Sequence, residues 1–233
     1  MTKEFETLLC LFGDSALGRE SRIKNVDNPD KVIEMSAKQG IWSCIYPVLS
    51  KVCDISKYQM DFLLFVSKGI ARNEFTLNII AEAEKTGIPI CVVKGVVVAS
   101  LYANPDYRIS SDTDILINPK DEKKLSAFLK SKGYDVKKRD KNDHHMKATH
   151  PIGGLLEVHV ALNDELFDRL AFNDKATYSE PYELVTVGKN TIHTLGINDN
   201  LIYLTAHYIR HFINGGSSIR QMMDLLLYKK IRR

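Results

Sequence analysis

Cysteine is scarce in this chain and never paired in sequence: Cys10, Cys44, Cys53 and Cys91 include no C-x-x-C. Neither a zinc knuckle nor a dithiol redox motif is suggested. Cys91 lies inside an apolar run, a setting that suits a small buried thiol. No apolar stretch approaches the roughly 20 residues needed to cross a bilayer, so no membrane partner is expected. The opening "MTKEFETLLCLFG" mixes charged and apolar residues in a helical rhythm and lacks the pattern of a secretory signal. A reduced, cytoplasmic setting is the expectation. Excess charge is also lacking. A net charge of +3 is too small to argue for nucleic acid. The basic runs "KSKGYDVKKRDK" (130–141) and "YKKIRR" read as a solvated edge and a charged tail. There is no internal repeat and no low-complexity segment.

What the chain does have is an ordinary globular composition: 233 residues, 44% hydrophobic and 26% charged. That length allows one large domain or two modest ones. The first part is read as helical. Phe5, Leu8, Leu9 and Phe12 recur at helical spacing, "NPDKVIEMSAKQ" opens with an Asn cap and a first-turn proline, and "GIWSCIYPVLSK" makes a short helix. A long helical segment follows over about 56–86, with Phe62, Phe65, Val66, Ile70, Phe75, Ile79 and Ile80 as its buried face and Gly87 as its stop.

After Gly87 the period changes. "IPICVVKG" is a short β-branched strand ended by glycine. "VVVASLYAN" makes a short helix, "TDILINP" a second strand, "PKDEKKLSAFLKSKG" an amphipathic helix and "YDVKKR" a third strand. "HHMKATHPIGGLLEVHVAL" reads as two strands around an "IGG" turn, and 178–195 as minor strands. Two helices, "INDNLIYLTAHYIRHFI" and "SIRQMMDLLLYKKI", close the chain. The expected organisation is a helical region 1–87, an α/β core 88–165, and a region 166–233 of minor strands and helices. The strand order points to a mixed sheet.

The chemistry is concentrated in "SSDTDILI", residues 110–117. In a strand, residues i and i+2 project to one face, so Asp112 and Asp114 would sit together. Two carboxylates about 4 Å apart repel by roughly 4 kcal/mol at an effective dielectric near 20. Exposure, protonation of one group, or a divalent cation between them would relieve this. Taken alone, D-x-D is also what a turn looks like.

Three neighbours favour the cation. Lys94 and Gly95 end a strand and start a helix, offering a positive charge, free N–H groups and a close backbone approach to an anion. Arg108, four residues before Asp112, could pair with a phosphate or with the carboxylates. Glu157 alternates with Leu155 and His159 on one face of an apolar strand, where it could be a third ligand. The histidines His144, His145, His150 and His159 crowd the hairpin, and His207 and His211 share a helix face. Spacing places no acidic or cysteine partner that would make them a zinc site. His159 could orient Glu157. Arg220 and Asp224 could pair at i,i+4.

These residues together resemble a known family. Lys-Gly after a strand, then "LY", then R-x-x-x-D-x-D-I-L, then "EVH" is similar to the nucleotidyltransferases of the DNA polymerase beta-like superfamily. The closest branch is the widespread, mostly uncharacterised bacterial nucleotidyltransferase family. The resemblance covers 88–162 clearly, and the flanking helices more loosely. It implies an α+β fold, a small mixed-sheet nucleotidyltransferase core flanked by N-terminal and C-terminal helices.

The resemblance further implies a transferase that moves a nucleoside monophosphate from an NTP, ATP among the candidates, to an unidentified acceptor, with pyrophosphate released. Asp112, Asp114 and Glu157 would be catalytic and would hold two Mg²⁺ ions. Lys94, Gly95, Arg108 and Ser111 would bind nucleotide. His159, His207, His211 and Arg220 would serve the acceptor or support the ligands. The partners implied are an NTP and, first among acceptors, a small molecule. The rival readings are an inactive nucleotide- or partner-binding member, and a toxin-like transferase acting on RNA or protein. The chain departs from the family at Thr113, where an apolar residue is usual, and at Lys94–Gly95, where the wider superfamily has Gly-Ser. It stops after "LLLYKKIRR", where relatives often continue, so a short or truncated member is expected.

Overall fold

The computed structural model describes residues 2–137, 139, 145–161 and 183–231, with side chains described to 229. His144 and residues 166–182 of the expected region 166–233 lie outside the described residues. The helices are α1 (Lys3–Leu17), α2 (Pro29–Lys38), α3 (Trp42–Leu49), α4 (Gln59–Lys85), α5 (Val96–Ala99), α6 (Glu122–Ser131), α7 (Ile197–Asn214) and α8 (Ile219–Ile231). The strands are β1 (Ile90–Val92), β2 (Asp112–Ile117), β3 (Asp135–Lys137), β4 (His145–His150), β5 (Gly154–His159), β6 (Glu183–Val187) and β7 (Asn190–Thr194). Among the described residues no helix is long and apolar enough to cross a membrane.

Contacts gather the chain into two compact units, each assembled from separate stretches. One holds residues 1–70, 98–109 and 216–233; the other holds 71–97 and 110–215. The boundaries expected at 87 and 165 follow changes of sequence period. Packing follows spatial neighbours instead, so residues 71–85 of α4 belong with the sheet.

The first unit is helical. Leu8, Leu11 and Phe12 of α1 are buried with Ile41, Ile45 and Leu49. Thr2 caps α1 by accepting from the Phe5 amide, and Asn28 caps α2 by accepting from the Lys31 amide, as such residues do. Tyr46 stacks on Phe62, ring centroids 4.3 Å apart. Phe65, expected on the buried face of α4, is instead 44% exposed and meets Trp42 edge-on at 5.5 Å. The apolar stripe of α4 narrows there to Phe62 and Val66.

The second unit contains a seven-stranded sheet, ordered β3-β4-β5-β2-β1-β7-β6. β2 runs parallel to β5 and β1 parallel to β7, while the other pairs are antiparallel, so the sheet is mixed as expected. Alternation along the strands divides the apolar residues between two faces. Ile90, Val92, Ile115, Ile117, Leu156 and Val158 join Leu77, Ile80, Leu125 and Leu129 in the larger core. Cys91, Val93 and Leu116 join Leu195, Tyr203 and Ala206, which brings α7 onto the other face. That second face carries the carboxylates.

Candidate active site

Strand pairing, not sequence distance, builds this site. Asp112, Asp114 and Leu116 share the α7 face of β2 because side chains alternate. β2 and β5 pair in parallel with Asp112 opposite Leu155, Asp114 opposite Glu157, and Leu116 opposite His159. Glu157 and His159 therefore stand on the same face as the aspartates. The intervening Thr113 is 5% exposed and points to the other side, so the departure from the family's apolar residue leaves the acidic face unchanged.

Asp114 is the electrostatic centre. It is 2% exposed, and its Oδ1 lies 2.9 Å from Lys94 Nζ and 3.1 Å from His159 Nε2. Burial alone would raise its pKa. The hydrogen bond to His159 and the charge of Lys94 prevail and hold it at about 2. The carboxylate is thus ionised at any physiological pH. The Lys94 ammonium also lies 5.7 Å from the Tyr203 ring centroid.

Asp112 is half-buried and accepts from Ser110 Oγ at 3.0 Å and Ser111 Oγ at 3.4 Å. Glu157 has His145 Nε2 at 3.7 Å and Lys147 Nζ at 3.9 Å. Asp114, Glu157 and His159 each present one ligand atom, all within 4.8 Å of one another. A buried carboxylate, a second carboxylate and an imidazole converging in this way suit a divalent cation, with His159 standing where the sequence led us to expect Asp112.

α7 faces this cluster. Burial first, then the charges of Asp114, Glu157 and Asp112, push the Tyr203 hydroxyl well above the ordinary range. His207 is lowered to about 3, by burial first and then by Lys94, His211 and Arg210. His211 is lowered for the same kinds of reason. The rings of His207 and His211 meet edge to face at 4.4 Å. Both are neutral near pH 7 and belong to the same unit as the carboxylates.

Several expectations need correction. Arg108 has a buried acidic partner that the sequence reading did not assign to it. It is 6% exposed in the helical unit, with Nη2 2.7 Å from Asp224 Oδ2. Tyr102 donates to the other oxygen of Asp224 at 2.7 Å. Arg220 has a backbone partner as well. Its Nη1 donates to the Ile109 carbonyl at 3.0 Å, also within the helical unit. The cause is burial: a fully desolvated carboxylate binds the guanidinium that is buried with it.

His159 bonds Asp114, the residue opposite Glu157 in the β2–β5 ladder. His150 takes no part. Its Nδ1 accepts from the amides of Ile152 and Gly153, capping the hairpin turn. The helix expected to present its amino end at Gly95 is α5, only four residues long, so its dipole is slight. Gly95 itself has φ +62°, a conformation costly for any residue with a Cβ, and so must be glycine for the turn to form.

Sequence reasoning missed Arg72. It reaches from α4 to donate to the Ser110 carbonyl, and its charge is felt by Asp112. Nothing in the spacing signals this, because 40 residues of chain separate Arg72 from Asp112. Tyr203 was likewise indistinguishable from an ordinary buried helix residue.

Fold and site together define a mixed-sheet α+β protein with an acidic, cation-competent centre on one sheet face. A family model described as uncharacterised nucleotidyltransferase matches residues 26–232. The chain belongs to that family. No curated protein matches it. Among solved structures it is similar to the antibiotic-resistance factor ANT(2'')-Ia in solution, at 13% identity and a TM-score of 0.48, covering 70% of this chain and 86% of that one. It is similar to the lincosamide antibiotic adenylyltransferase LnuA with lincomycin bound, at 17% identity and TM-score 0.46, covering 66% and 94%. It is also similar to an antigenic nucleotidyltransferase-like protein from Paracoccidioides brasiliensis, at 14% identity and TM-score 0.44, covering 69% and 76%.

Proposed function

We propose that this chain transfers a nucleoside monophosphate from an NTP to an acceptor hydroxyl, with a small molecule as the acceptor class, and releases pyrophosphate. The observation that carries the reading is the register that sets Asp114 opposite Glu157, with Asp112 two residues back on the same face and Lys94 at 2.9 Å. Lys94 and His159 compensate Asp114 here, and divalent cations would have to supply that compensation once a negatively charged triphosphate joins the carboxylates. Asp112, Asp114 and Glu157 would hold two divalent cations, which when bound supply charge neutralisation on the triphosphate and activation of the acceptor oxygen.

The chain's own residues do the rest. Lys94, now on Asp114, turns to the β and γ phosphates when nucleotide arrives, since a triphosphate offers it more negative charge. The turn at Gly95 brings backbone close to the same phosphates, and Ser111 lies beside them. The acceptor oxygen bonds to the α phosphorus while the bond from that phosphorus to the bridging oxygen of pyrophosphate breaks. The acceptor's proton passes to Glu157. His207 and His211, uncharged, border the acceptor's side without adding a competing cation. Positioning and charge stabilisation supply the rate, as is usual where no covalent intermediate forms.

The test is incubation of the full chain with each labelled NTP, Mg²⁺ and a metabolite extract. The products are read by mass spectrometry for an added nucleotide, together with released pyrophosphate. A labelled small molecule with stoichiometric pyrophosphate is expected, and Asp112→Ala should yield neither. Nucleotide binding without pyrophosphate would identify an inactive member. Label appearing only in RNA or protein would move the acceptor to a macromolecule.

A further inference from the structure

The metal set implied by the sequence is all carboxylate; the set that converges in the structure contains a nitrogen. We propose that His159 Nε2 is itself a ligand of the cation held by Asp114 and Glu157, so that the site takes a first-row transition ion ahead of Mg²⁺, with Mn²⁺ as the paramagnetic probe of that preference. This rests on the transferase reading for the cation's presence and adds its identity.

Three observations support it. The distal ring nitrogen of His159, not its edge, points at Asp114, with Nε2 3.1 Å from Oδ1. Neighbouring ligands about 2.1 Å from one ion are roughly 3.0 Å apart in an octahedron, so this pair already has the separation of adjacent ligands. Second, the Glu157 oxygen closes a triangle with no edge longer than 4.8 Å. Opposite ligands at such bond lengths are roughly 4.2 Å apart, so the Glu157 side chain has to move inward to complete the set. Third, a further imidazole stands behind Glu157. His145 Nε2 lies 3.7 Å from Glu157 Oε1, and its ring is 5.3 Å from that of His159.

Imidazole beside carboxylate favours transition ions, whereas Mg²⁺ is a hard ion served by oxygen. Mn²⁺ accepts the oxygens that the triphosphate and both carboxylates bring, and binds nitrogen as well. Asp112 lies outside the triangle, consistent with its hydrogen bonds to Ser110 and Ser111. Its part is with the nucleotide-bound state.

The experiment is electron paramagnetic resonance of Mn²⁺ bound to the full chain, with and without a non-hydrolysable NTP analogue. It compares unlabelled protein with protein carrying ¹⁵N-histidine, and adds a Mg²⁺ competition titration. A directly coordinated histidine nitrogen is expected, with Mn²⁺ displaced only by a large excess of Mg²⁺. In His159→Gln the nitrogen coupling should vanish and Mn²⁺ affinity fall by more than the roughly 10- to 100-fold that losing a group supporting a ligand costs, with Mg²⁺ affinity little changed. His145→Gln should keep the coupling. Bound Mn²⁺ with no nitrogen coupling in the unmutated protein overturns the proposal and leaves the transferase reading standing. Failure of both Mn²⁺ and Mg²⁺ to bind, even with the analogue, overturns the metal-dependent reading as well. Because the decisive comparison uses unmutated protein, a variant that fails to fold does not blunt it.

Discussion

Arg108 and Asp224 lie 116 residues apart and form a buried ion pair, Nη2 to Oδ2 2.7 Å, with side chains 6% and 4% exposed. Burial opposes the charge on Arg108, but Asp224 more than restores it, so the guanidinium stays charged. Removing one partner strands the other in a dry interior. Asp224→Ala should therefore destabilise the protein by about 3–5 kcal/mol, read from urea unfolding. Replacing both residues by apolar ones of similar volume should recover much of that loss. If Arg108 instead served a phosphate, Arg108→Met would depress nucleotide affinity with little change in unfolding.

Asp114 separates a catalytic loss from a stability loss. Asp114→Asn keeps the shape and removes the charge that Lys94 and His159 share. Nucleotidyl transfer should fall by roughly 10²–10³-fold or more. The acid limb of stability should change as well. With a folded pKa near 2 against 3.8 for the free group, this carboxylate stabilises the fold above its unfolded pKa. That contribution, on the order of 2 kcal/mol, is lost as pH falls from about 4 to 2. Unfolding measured from pH 5 down to pH 2 should be steeper for the unmutated protein than for Asp114→Asn.

Much of the site was legible because a strand's period is two. Asp112 and Asp114 had to share a face once "TDILI" was a strand, and Glu157 and His159 had to share one once "LLEVH" was. The parallel pairing that joins these faces was not legible, since register depends on which strands meet. The fates of Arg108 and Arg220 were hidden for a related reason. Their partners, Asp224 and the Ile109 carbonyl, are selected by burial in a helical unit drawn from three separate stretches. Phe65 shows the limit of helical periodicity: a stripe of apolar residues fixes a face but not how far the core extends along it.

Arg72 should act on Asp112 through the backbone. It anchors the Ser110 carbonyl, and the Ser110 hydroxyl donates to Asp112. Arg72→Met removes that tether while leaving every proposed ligand in place. Misplacement on the scale of an ångström can cost about 100-fold in rate. We expect kcat to fall toward that value, with the melting temperature moving far less. A loss of melting temperature in proportion to activity would make Arg72 merely structural.

His207 gives the clearest pH dependence near neutrality. Its pKa is lowered from 6.5 to about 3 by burial, with Lys94, His211 and Arg210 adding repulsion and Asp114 opposing it. The unfolded chain therefore binds a proton near pH 6.5 that the folded chain refuses until about pH 3. Between those values the unfolded state holds more protons, so stability declines as pH falls. The stabilisation is complete above 6.5 and is lost progressively toward 3, at up to about 1.4 kcal/mol per pH unit from this residue. His207→Gln cannot take up the proton and should flatten the slope. Urea midpoints for both proteins at pH 7, 6 and 5 give the comparison; parallel declines would place the titration elsewhere.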